Sequence, residues 1–218
     1  MELSGNLAGE TVKYIYLHGF GSGPISDKGQ YLHRDLARRG IDLELPDLNL
    51  GDFSRITISR QLEFLCNTYG DGRVNLVGSS LGGYLATLWA ARSDRVLSLV
   101  LLAPALNFGR HFPEYLGAEA IATWRRDGVY PFLDYVQQRK VGLHYQFLED
   151  AIRIQEVTVP DLPILIFHGR QDVVVPCELS EGFAEGRCHT QLEILETDHS
   201  MTGAIAYMSE RIQAFWGL

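Results

Sequence analysis

The sequence predicts an α/β protein: a mostly parallel sheet of about six strands, helices on both faces, and a helical segment inserted late in the chain. Three observations carry this. Short apolar runs recur along the chain and alternate with stretches of helical spacing. Several of those runs, such as 96–102 with its single Ser98, are almost continuously apolar rather than alternating, as strands covered on both faces are. Residues 73–86 pass from an apolar run through Gly78-Ser79-Ser80-Leu81-Gly82 into a helical pattern, giving a strand, a tight turn and a helix.

Taken in order, residues 1–11 read as a loose lead-in. Val12 to Leu17 is a buried strand that ends in the glycine-rich run His18-Gly19-Phe20-Gly21-Ser22-Gly23-Pro24. Ser26 to Arg39 is a helix with Leu32 and Leu36 inward and Gly40 placed to end it. Ile41 to Leu45 is a strand stopped by Pro46, and 55–69 is a helix with Ile58, Leu62 and Leu65 on one side. The turn strand and its helix follow, then the strand Val96 to Leu102.

Residues 107–156 break the rhythm. They hold nine of the chain's 23 aromatic residues, look helical and offer no clear strand, so they are expected to form a helical lid inserted into a core made of 1–106 and 157–218. Strands resume at Pro163 to Phe167 and at Gln191 to Leu195, with a short helix near 177–186 between them. The last helix places Met201, Ile205, Met208, Ile212 and Phe215 on one face. Right-handed crossovers then put the first strand between the second and the turn strand. Chain winding reverses beside it, and ligands bind above such a switch point.

Composition narrows the partners. Hydrophobic residues are 46% and the net charge is −8, which disfavours nucleic acid and anionic membranes as ligands. The longest nearly apolar run, 96–106, is too short to span a bilayer. Met1-Glu2-Leu3-Ser4 lacks the basic and apolar blocks of a signal peptide. Cys66, Cys177 and Cys188 are odd in number and far apart, which points to reduced, buried thiols and a cytoplasmic protein.

The chemistry centres on Ser80. Glycines two residues before and after it allow the sharp turn, and the helix behind it favours developing negative charge. A serine hydroxyl needs a base, and the base needs an acid. Asp172 and His199 each follow an apolar strand and so fall on the sheet edge that carries Ser80. Asp198 and Glu196 compete for the acid role, but a neighbour of His199 cannot easily turn back onto its ring; Asp198 is expected to stabilise the loop. His33, His111, His144 and His189 read as surface or packing residues, His168 as a satisfied structural histidine, and His18 as a residue that orients the glycine-rich loop. Backbone amides of Leu81 and Phe20 are the expected oxyanion donors.

The order Ser, Asp, His is that of α/β-hydrolases. The chain resembles that superfamily over most of 12–217, and within it the small bacterial YqiA-type esterases. The resemblance rests on Tyr16-Leu17-His18-Gly19-Phe20-Gly21-Ser22-Gly23-Pro24, on Val77-Gly78-Ser79-Ser80-Leu81-Gly82-Gly83-Tyr84, and on Asp172 and His199. It implies hydrolysis of a carboxylic ester or thioester through an acyl-serine, with no metal and no organic cofactor. The long aromatic segment 107–156 departs from it and leaves the substrate open.

The expected partner is a small-molecule acyl ester or thioester, met by a monomer or homodimer. An acyltransferase or a peptidase would use the same three residues. A ligand-binding receptor on this fold has no need of all of them. A metallohydrolase is disfavoured, since the sequence has no H-x-H or H-E-x-x-H pair.

Overall fold

The computed structural model describes residues 12–154 and 157–218; the expected lead-in over 1–11 and the end of the 107–156 segment lie outside them. Six strands form the main sheet: β1 (Lys13–Leu17), β2 (Leu43–Glu44), β3 (Val74–Ser79), β4 (Val96–Leu102), β7 (Ile164–Gly169) and β8 (Thr190–Leu195). Their order is β2-β1-β3-β4-β7-β8 and every pairing is parallel. The expected placement of the first strand between the second and the turn strand is therefore the one observed. β3, with all six residues buried, takes the centre alongside β4 because neither of its faces meets water.

Helices cover both faces. Leu32 and Leu36 of α1 (Asp27–Ala37) and Met208 and Ile212 of α8 (Ile205–Trp216) pack on Tyr16, Val77, Val100 and Phe167. On the opposite face, α2 (Ile58–Tyr69) and α3 (Leu81–Ala90) bury Leu62, Leu65, Leu85 and Leu88 against Ile15, Leu76 and Leu99. The short α7 (Glu178–Ala184) lies between β7 and β8 in sequence.

The segment between β4 and β7 departs from the expectation of a purely helical insertion. It contains α4 (Phe108–Leu116), α5 (Ala118–Asp127), α6 (Gln146–Arg153) and an antiparallel hairpin of β5 (Val129–Asp134) with β6 (Arg139–His144). The hairpin has the period of a half-buried ribbon: Tyr130 and Phe132 turn inward while Val129, Pro131 and Leu133 face out. Pro131 hides it in the sequence, since proline argues against a strand; a two-stranded ribbon has only edges, where proline is tolerated. Asp134, 1% exposed, sets the turn by accepting hydrogen bonds from the Val136 and Gln137 amides at 2.9 and 3.0 Å.

This segment shares the core of the α2–α3 face. Trp124 is fully buried and donates through Nε1 to the Leu143 carbonyl at 2.8 Å. Phe147 and Leu148 of α6 are also fully buried. Asp150 anchors α6 to the start of α2, accepting from the Ser59 amide at 2.7 Å and its hydroxyl at 2.6 Å. At the far end, the Tyr135 amide donates to the Gly21 carbonyl at 2.8 Å, so the hairpin tip rests on the glycine-rich loop after β1.

The cysteines differ from expectation in burial. All three are free thiols, but Cys66 and Cys177 are only half-buried and Cys188 is exposed. Among the described residues no helix is long and apolar enough to cross a membrane.

Candidate active site

Ser80 sits at the switch from β3 to α3 with φ 53° and ψ −116°, a conformation that a residue with a side chain adopts only under constraint. The constraint is backbone packing. A Cβ on Gly78 would lie 2.5 Å from the Gly82 carbonyl oxygen, and one on Gly82 would lie 2.0 Å from the Leu17 carbonyl oxygen. Both glycines are thus required by the close approach of β1, β3 and α3. The Ser80 amide donates to Leu102 O at 2.9 Å, while its carbonyl accepts from the Gly83, Tyr84 and Ala105 amides. These bonds fix the turn at the N-terminus of α3, where the helix dipole favours negative charge. Ser79, the neighbouring serine, is 3% exposed and belongs to the core.

Ser80, His199 and Asp172 come together from three separate loops. The Ser80 hydroxyl lies 3.1 Å from His199 Nε2, and His199 Nδ1 lies 2.6 Å from Asp172 Oδ2. With Nδ1–H donating to the carboxylate, Nε2 is free to accept from Ser80. The Asp172 side chain is fully buried, and its other oxygen accepts from the Val174 and Val175 amides at 2.9 and 2.8 Å. Burial opposes its charge, yet hydrogen bonds from His168, His199 and the Val175 amide outweigh burial and hold the carboxyl well below the usual carboxylate range.

His168 is the structural histidine the sequence suggested, but it reaches further. Its Nδ1 accepts from the Ser180 hydroxyl at 2.7 Å, which leaves Nε2–H to donate to the Val175 carbonyl at 2.9 Å. The same Nε2 is 3.2 Å from Asp172 Oδ2. Asp198 is exposed and accepts from the Ser200 amide at 2.9 Å and the Ser200 hydroxyl at 2.6 Å. It shapes the loop, as expected.

The glycine-rich loop lies against Ser80: a Cβ on Gly19 would stand 3.4 Å from Ser80 Cβ. His18 ties the loop down. Its Nδ1–H donates to the Gly19 carbonyl at 3.0 Å, and its Nε2 accepts from the Leu48 amide at 2.9 Å. Burial lowers the His18 pKa, which keeps the ring neutral and suited to this donor–acceptor pairing. The Phe20 ring is clamped among Phe53, Phe112, Phe132 and Phe147, with centroids 5.1–5.5 Å away. The ring thus anchors the loop to the aromatic cluster. Among the described residues, neither the Phe20 nor the Leu81 amide has a hydrogen-bond acceptor in the protein.

A cavity of about 1030 Å³ opens onto Ser80 and His199. Its walls are mainly apolar, with Phe108, Phe112, Tyr130 and Phe132 from the 107–156 segment and Val173 to Val175 from the loop after β7. Among the described residues no group of three or more His, Cys, Asp or Glu side chains is arranged to hold a metal ion.

Two residues at the site escaped the sequence reading. The contact of His168 with Asp172 had a signal, the spacing of four residues after a strand end. Lys28, which lines the cavity and donates to the Ser200 carbonyl at 2.9 Å, had none, since its partner is 172 residues away.

Comparison with known proteins places these features. A model of the uncharacterised protein family UPF0227 matches residues 13–217. The human protein named palmitoyl-protein thioesterase ABHD10, mitochondrial, is 29% identical over 135 residues, which is 60% of this chain and 44% of that one. The aligned part thus spans less than half of that relative's length. Among solved structures, Est1E from Butyrivibrio proteoclasticus with ferulic acid bound superposes with a TM-score of 0.79 at 20% identity, covering 99% of this chain and 92% of that one. Mouse alpha/beta hydrolase domain-containing protein 10 gives 0.72 at 20% identity, covering 97% and 92%. The fold is that of the α/β-hydrolases.

Proposed function

We propose that this chain, which belongs to the uncharacterised protein family UPF0227, is a serine hydrolase that cleaves a carboxylic ester or thioester of an apolar acyl group. One observation carries the reading: the continuous line from Ser80 Oγ through His199 to the buried Asp172, at 3.1 and 2.6 Å.

Ser80 Oγ attacks the acyl carbonyl while His199 Nε2 takes its proton. The oxygen of the tetrahedral intermediate takes up negative charge between the Phe20 and Leu81 amides, whose open N–H groups suit that role. Collapse breaks the bond to the alcohol or thiol, and His199 returns the proton to that leaving group. Water then repeats the sequence on the acyl-serine and frees the acid. Asp172 fixes the His199 tautomer and stabilises the cation that forms twice per cycle.

The residues from 107 to 154 act as the lid of this site. Their aromatic underside forms a wall for the acyl chain, and its packing around Phe20 holds the oxyanion loop in place. The name of the human relative, a thioesterase for palmitoyl groups, supports an apolar acyl group on sulfur. The ferulic acid bound to Est1E is compatible with an aromatic acyl group. A panel of acyl esters and acyl-thioesters, assayed with wild type and Ser80→Ala, tests the proposal. Hydrolysis that survives the Ser80 change would end it.

A further inference from the structure

Lys28 is the second residue of α1, half-buried, and lines the cavity that holds Ser80. Its ammonium donates to the carbonyl of Ser200, the residue after His199, at 2.9 Å. We propose that Lys28 is a positioning residue for the catalytic base: it holds the loop that carries His199 against α1. This rests on the reading of His199 as the base.

The loop has other anchors, among them the Gln171 amide, which donates to the Thr197 carbonyl at 3.0 Å, and the fully buried Met201. Asp198 organises it from within, through the Ser200 and Met201 amides. The backbone at Thr197 and Asp198 leans on Gly169, where a Cβ would lie 2.4 and 2.7 Å from their carbonyl oxygens. Met201 is in the left-handed region at φ 50°, so the chain reverses sharply just after the histidine. Those contacts fix the loop against β7. The bond from Lys28 fixes it against α1, the helix that follows the glycine-rich loop. The base and the loop that carries Phe20 are therefore both tied to α1.

Charge adds a second effect. The carboxylates facing Lys28 are Asp172 from the loop after β7 and Asp198 from the loop after β8; Asp27 is its neighbour on α1. Burial pushes the ammonium down to about 8, against the pull of both facing carboxylates. Below that pH the site holds a cation that partly offsets the buried Asp172 carboxylate.

Lys28→Met and Lys28→Arg test this, with thermal midpoints confirming that each variant folds. Fluorophosphonate labelling of Ser80 is a readout that needs no substrate: its rate should fall roughly 10- to 100-fold in Lys28→Met and recover in Lys28→Arg. For neutral p-nitrophenyl esters, kcat in Lys28→Met should fall roughly 10- to 100-fold with KM within about twofold, and Lys28→Arg should recover most of it. An unchanged kcat and labelling rate in Lys28→Met overturn the proposal. So does a variant whose only change is a higher KM for esters with an anionic group, which would make Lys28 a substrate contact. If wild type neither hydrolyses the esters nor reacts with a fluorophosphonate, the hydrolase reading falls and this inference with it; an active wild type with an unaffected Lys28→Met sinks this inference alone.

Discussion

Gly82→Ala probes the geometry that makes Ser80 reactive. The added Cβ would sit 2.0 Å from Leu17 O, 2.5 Å from Leu17 C and 2.7 Å from His18 O. All three are backbone atoms, and Leu17 is held in register opposite Gly78 in the sheet. No side chain can swing away, so the first turn of α3 must separate from the end of β1 by about 1 Å to restore tolerable contact. Overpacking of this kind costs about 1–3 kcal/mol. At roughly 2–4 °C per kcal/mol for a domain of this size, the melting temperature should drop by somewhere between 2 and 12 °C.

The displacement also falls between Leu81 on α3 and Phe20 after β1. A shift of about 1 Å at a reacting centre costs on the order of 100-fold in rate. Calorimetry and kcat/KM on a short acyl ester measure the two effects. Gly182→Ala is the control: it lies in α7 with no atom within 4 Å of its added Cβ, and should raise stability by about 0.5–1 kcal/mol without touching turnover. A Gly82→Ala protein within 1 °C and about twofold of wild type would refute the argument that backbone crowding sets the turn.

Four other outcomes follow from the same structure. Ser79→Ala should keep most of the activity, whereas Ser80→Ala should lose on the order of 10⁴-fold or more, read as kcat on the best ester. Asp172→Asn should cut turnover by about 10⁴-fold and Asp198→Asn only mildly; the reverse ranking would move the acid role to Asp198. The folded pKa of Asp172 lies below its unfolded value of about 3.9, so its stabilisation is in place above pH ~4 and drains away as pH falls; denaturation midpoints of Asp172→Asn should therefore vary less than those of wild type between pH 5 and acid. Finally, kcat/KM should climb with acyl length, by up to ~0.8 kcal/mol per buried methylene, until the cavity fills; a flat series from acetyl to dodecanoyl would sink the apolar wall.

The sheet and the three proposed catalytic residues were legible in the sequence because their signals are local. A mostly apolar run, broken by Asn75 in β3 and Ser98 in β4, marks β3, β4 and β7, and glycines two residues either side of Ser80 mark the turn. Asp172 and His199 were found by position alone, each just past an apolar strand. Local signals fail where partners are distant. Nothing near Lys28 announces Ser200, and nothing in residues 107–156 separates core aromatics from cavity aromatics. The hairpin of β5 and β6 was masked by Pro131 and by aromatic density that swamped its alternation. Burial of the thiols was overestimated because cysteine's usual preference for the core does not bind any one residue; Cys188 lies outside it.

The most direct test of the serine hydrolase reading is covalent. Wild-type protein is treated with a fluorophosphonate and digested, and the labelled peptide is sequenced by mass spectrometry. The adduct should lie on Ser80 in the 74–91 stretch, be absent from Ser80→Ala, and form far more slowly in His199→Gln, because a hydroxyl without its base is a weak nucleophile. An adduct on Ser79, or labelling that proceeds equally well without His199, would contradict it.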